Sequence, residues 1–497
     1  MSNSYTGTEA LVLGALDSKI SIATGVPGYP ITTIMEQLMD STIESRWSVN
    51  EKVALEAALG ASTIGRRAVV IVKHVGMNIL ADPLITSATH TIGAGVVIIA
   101  GDDPGVKMSQ NEQDSRYFGL LAEVPVFDPD TPDAAYECMR LGFALSEKVS
   151  TPVIIRITDR LNTSNWDVKR TVSSSSDFPV FDRSIWSYSL KGKHQRFHLQ
   201  SYPLMLKLSA TYKMNILHKR SSTTGIISSG YPSTLVEKVI SDRFRDVSHL
   251  SLTMINPLPV ELINSFIKQH SQVLIIEETE PVIEQQVSCS GVLGKHTGHV
   301  GYGKVETNDI IWSLEHIDQK KTNHMRSPET LTSRGYSRGT CEDCPYHVLY
   351  NALKKLSVPI AGDLGCSIRT APPPMEIADT GYSLGSSIAT ATGFDNKGVA
   401  LIGDFGLVHT GLQGLIEAVF HKKDVLVIVL LNSISALTGG QQVPDITCMV
   451  QCLVPGTIIL DMEKINEDEL FIVLLNELDK KGVSVILARG QCTKHNS

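Results

Sequence analysis

Short runs of apolar residues alternate with amphipathic, helix-like stretches along most of the 497-residue chain. This alternation is typical of βαβ units, in which crossover helices join parallel strands. The apolar runs that we predict to be buried strands are Val69–Val72, Val96–Ala100, Val153–Ile157, Gly225–Ser229, Val273–Glu277, Val399–Ile402, Val425–Leu431 and Val485–Ala488. The pattern therefore predicts an α/β protein with mostly parallel sheets.

Two stretches interrupt the alternation and indicate domain boundaries. Residues 166–214 contain four consecutive serines and scattered aromatic residues without periodicity, and residues 321–340 are rich in Ser, Thr and Arg. Treating both as linkers or excursions leaves a first domain over residues 1–165, a smaller second domain over 215–320 and a third over 341–497. Three domains also match the chain length at roughly 150 residues each.

Composition narrows the class of protein. Hydrophobic residues make up 42% of the chain, and charged residues make up 19%, below the typical value of about 25%. The low charge favours a surface partly covered by other domains or subunits. A net charge of −8 without a basic cluster argues against nucleic-acid binding. The longest apolar run is far shorter than the roughly 20 residues of a membrane span, and the N-terminus lacks signal-peptide features, so we expect a cytoplasmic protein.

Polar residues follow two strands of the third predicted domain. Asp404 comes directly after one strand, and Asn432 comes directly after the next, 28 residues later. One crossover of this length places both side chains at the carboxyl edge of a parallel sheet, where ligands bind. An acid and an amide there suit Mg²⁺, which can hold a diphosphate. The pair alone is equally compatible with a turn residue and a helix cap.

The surrounding sequence carries a family resemblance. The run GDFGLVHTGLQGLIEAVFHKKDVLVIVLLNSISALTGGQ resembles the thiamine-diphosphate motif of the 2-oxoacid:ferredoxin oxidoreductases, and most closely the large subunit of the indolepyruvate type. Phe405 replaces the usual last glycine of the GDG triplet, a position that varies in this branch. The resemblance implies a pyrimidine-binding first domain, a transketolase C-terminal-like second domain and a diphosphate-binding third domain.

The resemblance also implies a cofactor site in the third domain. Mg²⁺ would be bound by Asp404, Asn432 and the backbone carbonyl of Ile434. The residues implied near the diphosphate are Gly403, Asp404, Asp379 and Gly385.

The run WSVNEKVALEAALGASTIGRRAVVIVKHVGMN resembles the pyrimidine-binding domain of the same family. In that pattern the catalytic acid lies 25 residues before the glycine of a short loop. Here the loop glycine is Gly76, so the pattern implies that the acid is Glu51. Glu56 is the rival acid and is better explained as a helix-surface residue. His74 in the loop is implied to exchange a proton with the substrate, although a single histidine is more often structural.

Two further segments of the first domain match the family on its substrate side. GVPGYPIT places Thr32 near the carboxylate of the 2-oxo acid, and DDPGVKMSQNEQDSRYFG places Gln113 and Arg116 facing the substrate. A solvated loop is the alternative interpretation of the second segment.

Four of the eight cysteines fit the family's iron–sulfur pattern. Cys341 and Cys344 form a CxxC pair, Cys366 follows, and Cys492 lies after the last predicted strand. A CxxC pair alone is compatible with zinc or redox chemistry. By resemblance the four cysteines hold one [4Fe–4S] cluster. Two acids inside the CxxC depart from the family's usual sequence and would lower the reduction potential of such a cluster.

The implied reaction is oxidative decarboxylation of an aryl 2-oxo acid to the acyl-CoA, with electrons passed to ferredoxin. Coenzyme A, ferredoxin and a smaller β subunit are the implied partners, in an α₂β₂ assembly. The chain ends soon after Cys492, so we expect a short form without the ferredoxin-like tail usual in this family. The alternatives are a non-oxidative thiamine-diphosphate decarboxylase and a non-catalytic paralogous subunit. The presence of Glu51 together with Asp404 and Asn432 counts against a non-catalytic subunit.

Overall fold

The computed structural model describes residues 4–171, 177–287, 291–324 and 339–495. The chain divides into two compact units, Met1–Ser333 and Arg334–Ser497. Both units are α/β folds whose larger sheets are mostly parallel, which confirms the predicted fold class. Within the described residues, no helix combines the length and apolarity needed to cross a membrane.

The first unit contains fourteen described strands and twelve α-helices. Its strands are β1 (Ser4–Thr6), β2 (Ile22–Gly25), β3 (Glu44–Trp47), β4 (Ala68–Lys73), β5 (Val96–Asp102), β6 (Val126–Phe127), β7 (Val153–Thr158), β8 (Asn165–Asp167), β9 (Ile216–His218), β10 (Thr224–Ser229), β11 (Ser248–Leu252), β12 (Met254–Asn256), β13 (Gln272–Ile276) and β14 (Val292–Leu293). Its helices are α1 (Gly7–Asp17), α2 (Thr32–Met39), α3 (Glu51–Thr63), α4 (His74–His90), α5 (Arg116–Ala122), α6 (Pro132–Val149), α7 (Asp159–Thr163), α8 (Leu190–Arg196), α9 (Tyr202–Ala210), α10 (Tyr231–Arg243), α11 (Val260–Lys268) and α12 (Thr307–Glu315).

A seven-stranded sheet forms the core of the first predicted domain, in the order β12-β6-β7-β5-β4-β2-β3. Strands β2 to β7 are parallel, and only the edge strand β12 is antiparallel to its neighbour. Every residue of β5 and β7 is buried. Continuous β-branched runs of this kind are expected where helices cover both faces of a parallel sheet.

The second sheet of this unit has the order β14-β13-β10-β11-β9, with β9 antiparallel at one edge. It lies within the residues predicted as the second domain. The stretch predicted as a linker or excursion instead forms α8, a π-helical turn and α9 in its later part. Phe197 and Met205 are buried in the hydrophobic core of the unit, so this stretch packs against the fold.

The second unit contains the remaining strands β15 (Ile360–Gly362), β16 (Gly398–Gly403), β17 (Val425–Leu431), β18 (Ile434–Ser435), β19 (Gln441–Gln442), β20 (Ile458–Asp461) and β21 (Val483–Arg489). Its helices are α13 (His347–Lys354), α14 (Ser387–Ala391), α15 (Asp404–Gly406), α16 (Leu412–Phe420), α17 (Thr447–Leu453) and α18 (Glu467–Asp479). The sheet order is β15-β16-β17-β21-β20, and all five strands are parallel.

Candidate active site

Polar residues collect at the carboxyl edge of the sheet in the second unit. Asp363, Asp404 and Asn432 directly follow the adjacent parallel strands β15, β16 and β17. Gly403 pairs with Leu430, so β16 and β17 end at almost the same level. This edge is where open parallel sheets bind ligands. The structure therefore brings together Asp404 and Asn432, as the crossover spacing predicted.

Backbone groups hold the Asp404 carboxylate in place. Its oxygens accept hydrogen bonds from the amides of Phe405 (2.8 Å), Asn432 (3.0 Å) and Ser433 (2.5 Å). The amide oxygen of Asn432 accepts from the Ile434 amide at 3.1 Å. Burial raises the pKa of Asp404 to about 6. A cation bound beside the carboxylate would favour its ionised form. A carboxylate, an amide oxygen and a backbone carbonyl form a donor set that fits Mg²⁺.

Gly385 lies at the same sheet edge, where there is no room for a side chain. Its φ is +90°, and a Cβ atom there would lie 2.0 Å from Thr410 Oγ1. Its amide donates to both carboxylate oxygens of Asp363 at 2.8 Å. Burial raises the pKa of Asp363 to about 8. Sequence reasoning missed Asp363, although its Gly-Asp pair at a strand end repeats the pattern of Gly403 and Asp404.

Asp379 lies elsewhere. Its carboxylate accepts from the Ile360 amide at 2.8 Å, and its own amide donates to the Ile360 carbonyl. Ile360 is the first residue of β15, so Asp379 lies at the amino end of that strand and is exposed. This position argues against the predicted place of Asp379 near a diphosphate at the carboxyl edge. Its side chain completes the start of a strand.

The four cysteines predicted to hold a cluster lie near one another. Burial raises the pKa of Cys344, and raises the pKa of Cys366 to about 11. Smaller electrostatic contributions to both shifts come from Cys341 and Cys492. Among the described residues, no three His, Cys, Asp or Glu side chains are placed to hold a single metal ion. The four thiols therefore remain the predicted ligands of a [4Fe–4S] cluster, in which each thiolate binds a different iron.

Tyr346 links the cysteines to the Asp404 site. Its hydroxyl donates to the carbonyl of Gly490, just beyond β21, at 3.2 Å. Burial raises the pKa of Tyr346 well above its usual range, with further contributions from Asp404 and the cysteines. Tyr346 is therefore close to both groups, which occupy the same end of the sheet.

Within the first unit, Glu51 is the first residue of α3 and is buried. The side chain of Asn50 caps this helix by accepting from the Val53 amide at 2.9 Å, which fixes Glu51 in the first turn. A Cβ atom on Gly76 would lie 2.5 Å from Glu51 Oε1. The glycine that identified Glu51 by spacing is thus in contact with it. Glu56 is half-exposed and pairs with Lys52, as expected for a surface residue.

His74 begins α4 directly after β4 and is fully buried. Its Nδ1 donates to the carbonyl of Gly101 at 3.3 Å, and its Nε2 has no hydrogen-bond partner among the described residues. Burial lowers the pKa of His74, so its ring is neutral near pH 7. This tautomer leaves a lone pair on Nε2 that can accept a proton.

Thr32 closes the turn after β2. Its hydroxyl donates to the carbonyl of Gly28 at 3.0 Å and accepts from the Gly28 amide at 3.0 Å. Gln113 lies on the loop after β5 and accepts from Asn78 of α4 at 3.2 Å. Both residues lie at the carboxyl edge of the seven-stranded sheet, the edge that also carries Glu51 and His74.

Arg116 does not lie on a substrate-facing surface. It is fully buried, and its five N–H groups donate to Asp114 (2.8 and 2.6 Å), Glu277 (3.0 Å), Ser229 (3.2 Å) and the carbonyl of Glu280 (2.9 Å). No donor remains for a ligand. The predicted substrate contact of Arg116 is therefore replaced by a structural role that ties the two larger sheets of the first unit together.

Comparison with known proteins places these features in a family. Residues 364–450 match the thiamine pyrophosphate enzyme, C-terminal TPP binding domain. The chain is 30% identical over 473 residues to the indolepyruvate oxidoreductase subunit IorA of Methanothermobacter marburgensis, covering 88% of this chain and 76% of the relative. It is 30% identical over 498 residues to subunit IorA of Thermococcus kodakarensis, with the same coverage. Subunit IorA of Archaeoglobus fulgidus is 28% identical over 535 residues, covering 98% of this chain and 86% of the relative.

Among solved structures, a 2-oxoglutarate:ferredoxin oxidoreductase from Magnetococcus marinus overlaps 64% of this chain and 65% of its own, with a TM-score of 0.49 and 14% identity.

Proposed function

The chain belongs to the family of indolepyruvate oxidoreductase subunit IorA, and from this premise we propose that it oxidatively decarboxylates an aryl 2-oxo acid with thiamine diphosphate. The observation that carries the proposal is the convergence of Asp404, Asn432 and Gly385 at one sheet edge. Together they form a cradle suited to Mg²⁺ and a diphosphate.

Thiamine diphosphate, when bound, supplies an electron sink next to the carbon that loses CO₂. Asp404, Asn432 and the carbonyl of Ile434 would hold Mg²⁺, and the Gly385 backbone would border the diphosphate. Glu51, a buried carboxylate at the start of a helix, would lie against the pyrimidine ring. His74 would accept a proton from the substrate side through the lone pair on Nε2.

The cysteines give the proposal its oxidative character. Cys341, Cys344, Cys366 and Cys492 would hold a [4Fe–4S] cluster, which would supply one-electron transfer toward a ferredoxin. Coenzyme A would receive the acyl group. We include a smaller β subunit as partner in an α₂β₂ assembly, which fits a chain with only 19% charged residues.

The test compares two glutamates on the same helix. Glu51→Gln removes the buried carboxylate with almost no change of shape, and Glu56→Gln does the same at the half-exposed surface position. We expect Glu51→Gln to abolish release of labelled CO₂ from indolepyruvate and the reduction of a viologen dye. Glu56→Gln should retain both activities. Equal activity of the two variants would show that Glu51 is not the acid.

A further inference from the structure

The substrate of the proposed reaction is an anion whose carboxylate is predicted to lie near Thr32. Because Arg116 is buried in a structural ion network, a cation that pairs with this carboxylate must be another residue. This inference rests on the proposed function. At the carboxyl edge of the seven-stranded sheet, Lys73 is the last residue of β4 and directly precedes His74. Lys73 is therefore a cationic side chain beside the residues that are predicted to contact the substrate.

The stem of Lys73 lies against the turn that Thr32 closes. A Cβ atom on Gly28 would lie 3.2 Å from Lys73 Cβ and 3.3 Å from its Cδ. The amide and carbonyl of Gly28 are the two groups that bind the Thr32 hydroxyl. Lys73, Thr32 and His74 are thus grouped around one turn at the end of two adjacent strands.

The ammonium group of Lys73 has unused donor capacity. Among the described residues it makes one hydrogen bond, to the carbonyl of Met108 at 3.2 Å, and an ammonium carries three N–H groups. The nearby carboxylate of Asp103 already accepts from the amides of Lys107 (3.0 Å) and Met108 (2.8 Å) and from the Ser109 hydroxyl (2.5 Å). Burial lowers the pKa of Lys73 to about 8, so its charge is incompletely solvated.

We infer that Lys73 binds the carboxylate of the 2-oxo acid substrate. An anion there supplies the acceptors that the ammonium lacks, and the ammonium fixes the end of the substrate that leaves as CO₂. Because the bond to CO₂ is only partly broken in the transition state, we take the ammonium to stabilise the carboxylate to a similar extent in the bound substrate and in the transition state. Its loss should therefore raise KM and leave kcat nearly unchanged.

The experiment uses the full chain, assembled with its proposed β subunit, in four forms: wild type, Lys73→Met, Lys73→Arg and Lys148→Met. Lys148 is an exposed lysine in the last turn of α6 and serves as the matched control. We expect Lys73→Met to raise KM for indolepyruvate about 10- to 100-fold, the range of a charged hydrogen bond. Lys73→Arg should restore most of the affinity, and Lys148→Met should behave as wild type.

A binding measurement separates charge recognition from turnover and from folding. Calorimetry compares indole-3-propionate with its neutral amide, since both lack the reactive oxo group. Lys73→Met should weaken binding of the acid alone, with an unchanged thermal transition.

The outcomes distinguish this inference from the proposed function. An unchanged KM in Lys73→Met, or equal loss of acid and amide binding, would overturn the role of Lys73 and show that it only ties the loop at Met108. A wild type that binds the acid through Lys73 but turns over no 2-oxo acid would overturn the proposed function alone.

Discussion

Replacing Gly76 with alanine should displace Glu51 without unfolding the protein. The added Cβ atom would lie 2.5 Å from Glu51 Oε1, 2.6 Å from its Cγ and 2.8 Å from its Cδ. Since Cβ contacts below 3.0 Å essentially do not occur, the Glu51 side chain must move by at least 0.5 Å. A displacement of about 1 Å at a catalytic group can cost on the order of 100-fold in rate. We therefore expect Gly76→Ala to lower kcat by about 10- to 100-fold.

The free energy of unfolding of Gly76→Ala should rise or stay constant. Gly76 lies inside α4, and alanine is favoured over glycine in a helix by about 1 kcal/mol. Gly60→Ala in α3 is the matched control, because a Cβ atom there meets nothing within 4 Å. Steady-state decarboxylation and thermal unfolding measure both effects. Full activity in Gly76→Ala would refute the reasoning, since Glu51 could then move without consequence.

The remaining predictions concern the buried ion network, the cysteines and the diphosphate cradle. Arg116→Met leaves buried carboxylates without their partner and should lower the free energy of unfolding by about 3–5 kcal/mol in a denaturant titration; a change below 1 kcal/mol would contradict the structural role. Cys366→Ser should reduce the iron content of anaerobically purified protein, whereas Cys452→Ser, at an exposed cysteine, should not; equal iron in both would exclude Cys366 as a ligand. Gly385→Ala forces a positive φ on alanine against Thr410 and should weaken thiamine-diphosphate binding in a fluorescence titration; unchanged affinity would remove Gly385 from the cradle.

The residues at the strand ends of the second unit were predictable from the sequence, because the lengths of the strands and of the crossover between them determine where each strand ends. Asp404 and Asn432 each follow an apolar run, and the crossover between the runs is one helix long. Their meeting at one edge follows from parallel topology alone. The four cysteines needed the family resemblance as well, since Cys492 lies far from the others in the chain and joins them through β21.

The features that the sequence could not reveal depend on contacts between residues that lie far apart in the chain. The partner Glu277 of Arg116 lies 161 residues away in another sheet, so nothing near Arg116 in the chain distinguishes a buried ion pair from a substrate contact. Asp379 illustrates the opposite error, in which the family resemblance implied a place near the diphosphate but the side chain completes the start of β15. Lys73 did not stand out in the sequence, because the unused donor capacity of its ammonium group is a property of the folded edge.

We propose that a thiamine-diphosphate site and an iron–sulfur cluster act together in one reaction. Anaerobically purified protein, supplied with thiamine diphosphate and Mg²⁺, should show broad brown absorption that bleaches when indolepyruvate is added. Colourless protein that still releases CO₂ would contradict the oxidative reaction and favour a simple decarboxylase. Protein that binds no thiamine diphosphate would contradict the enzymatic function altogether.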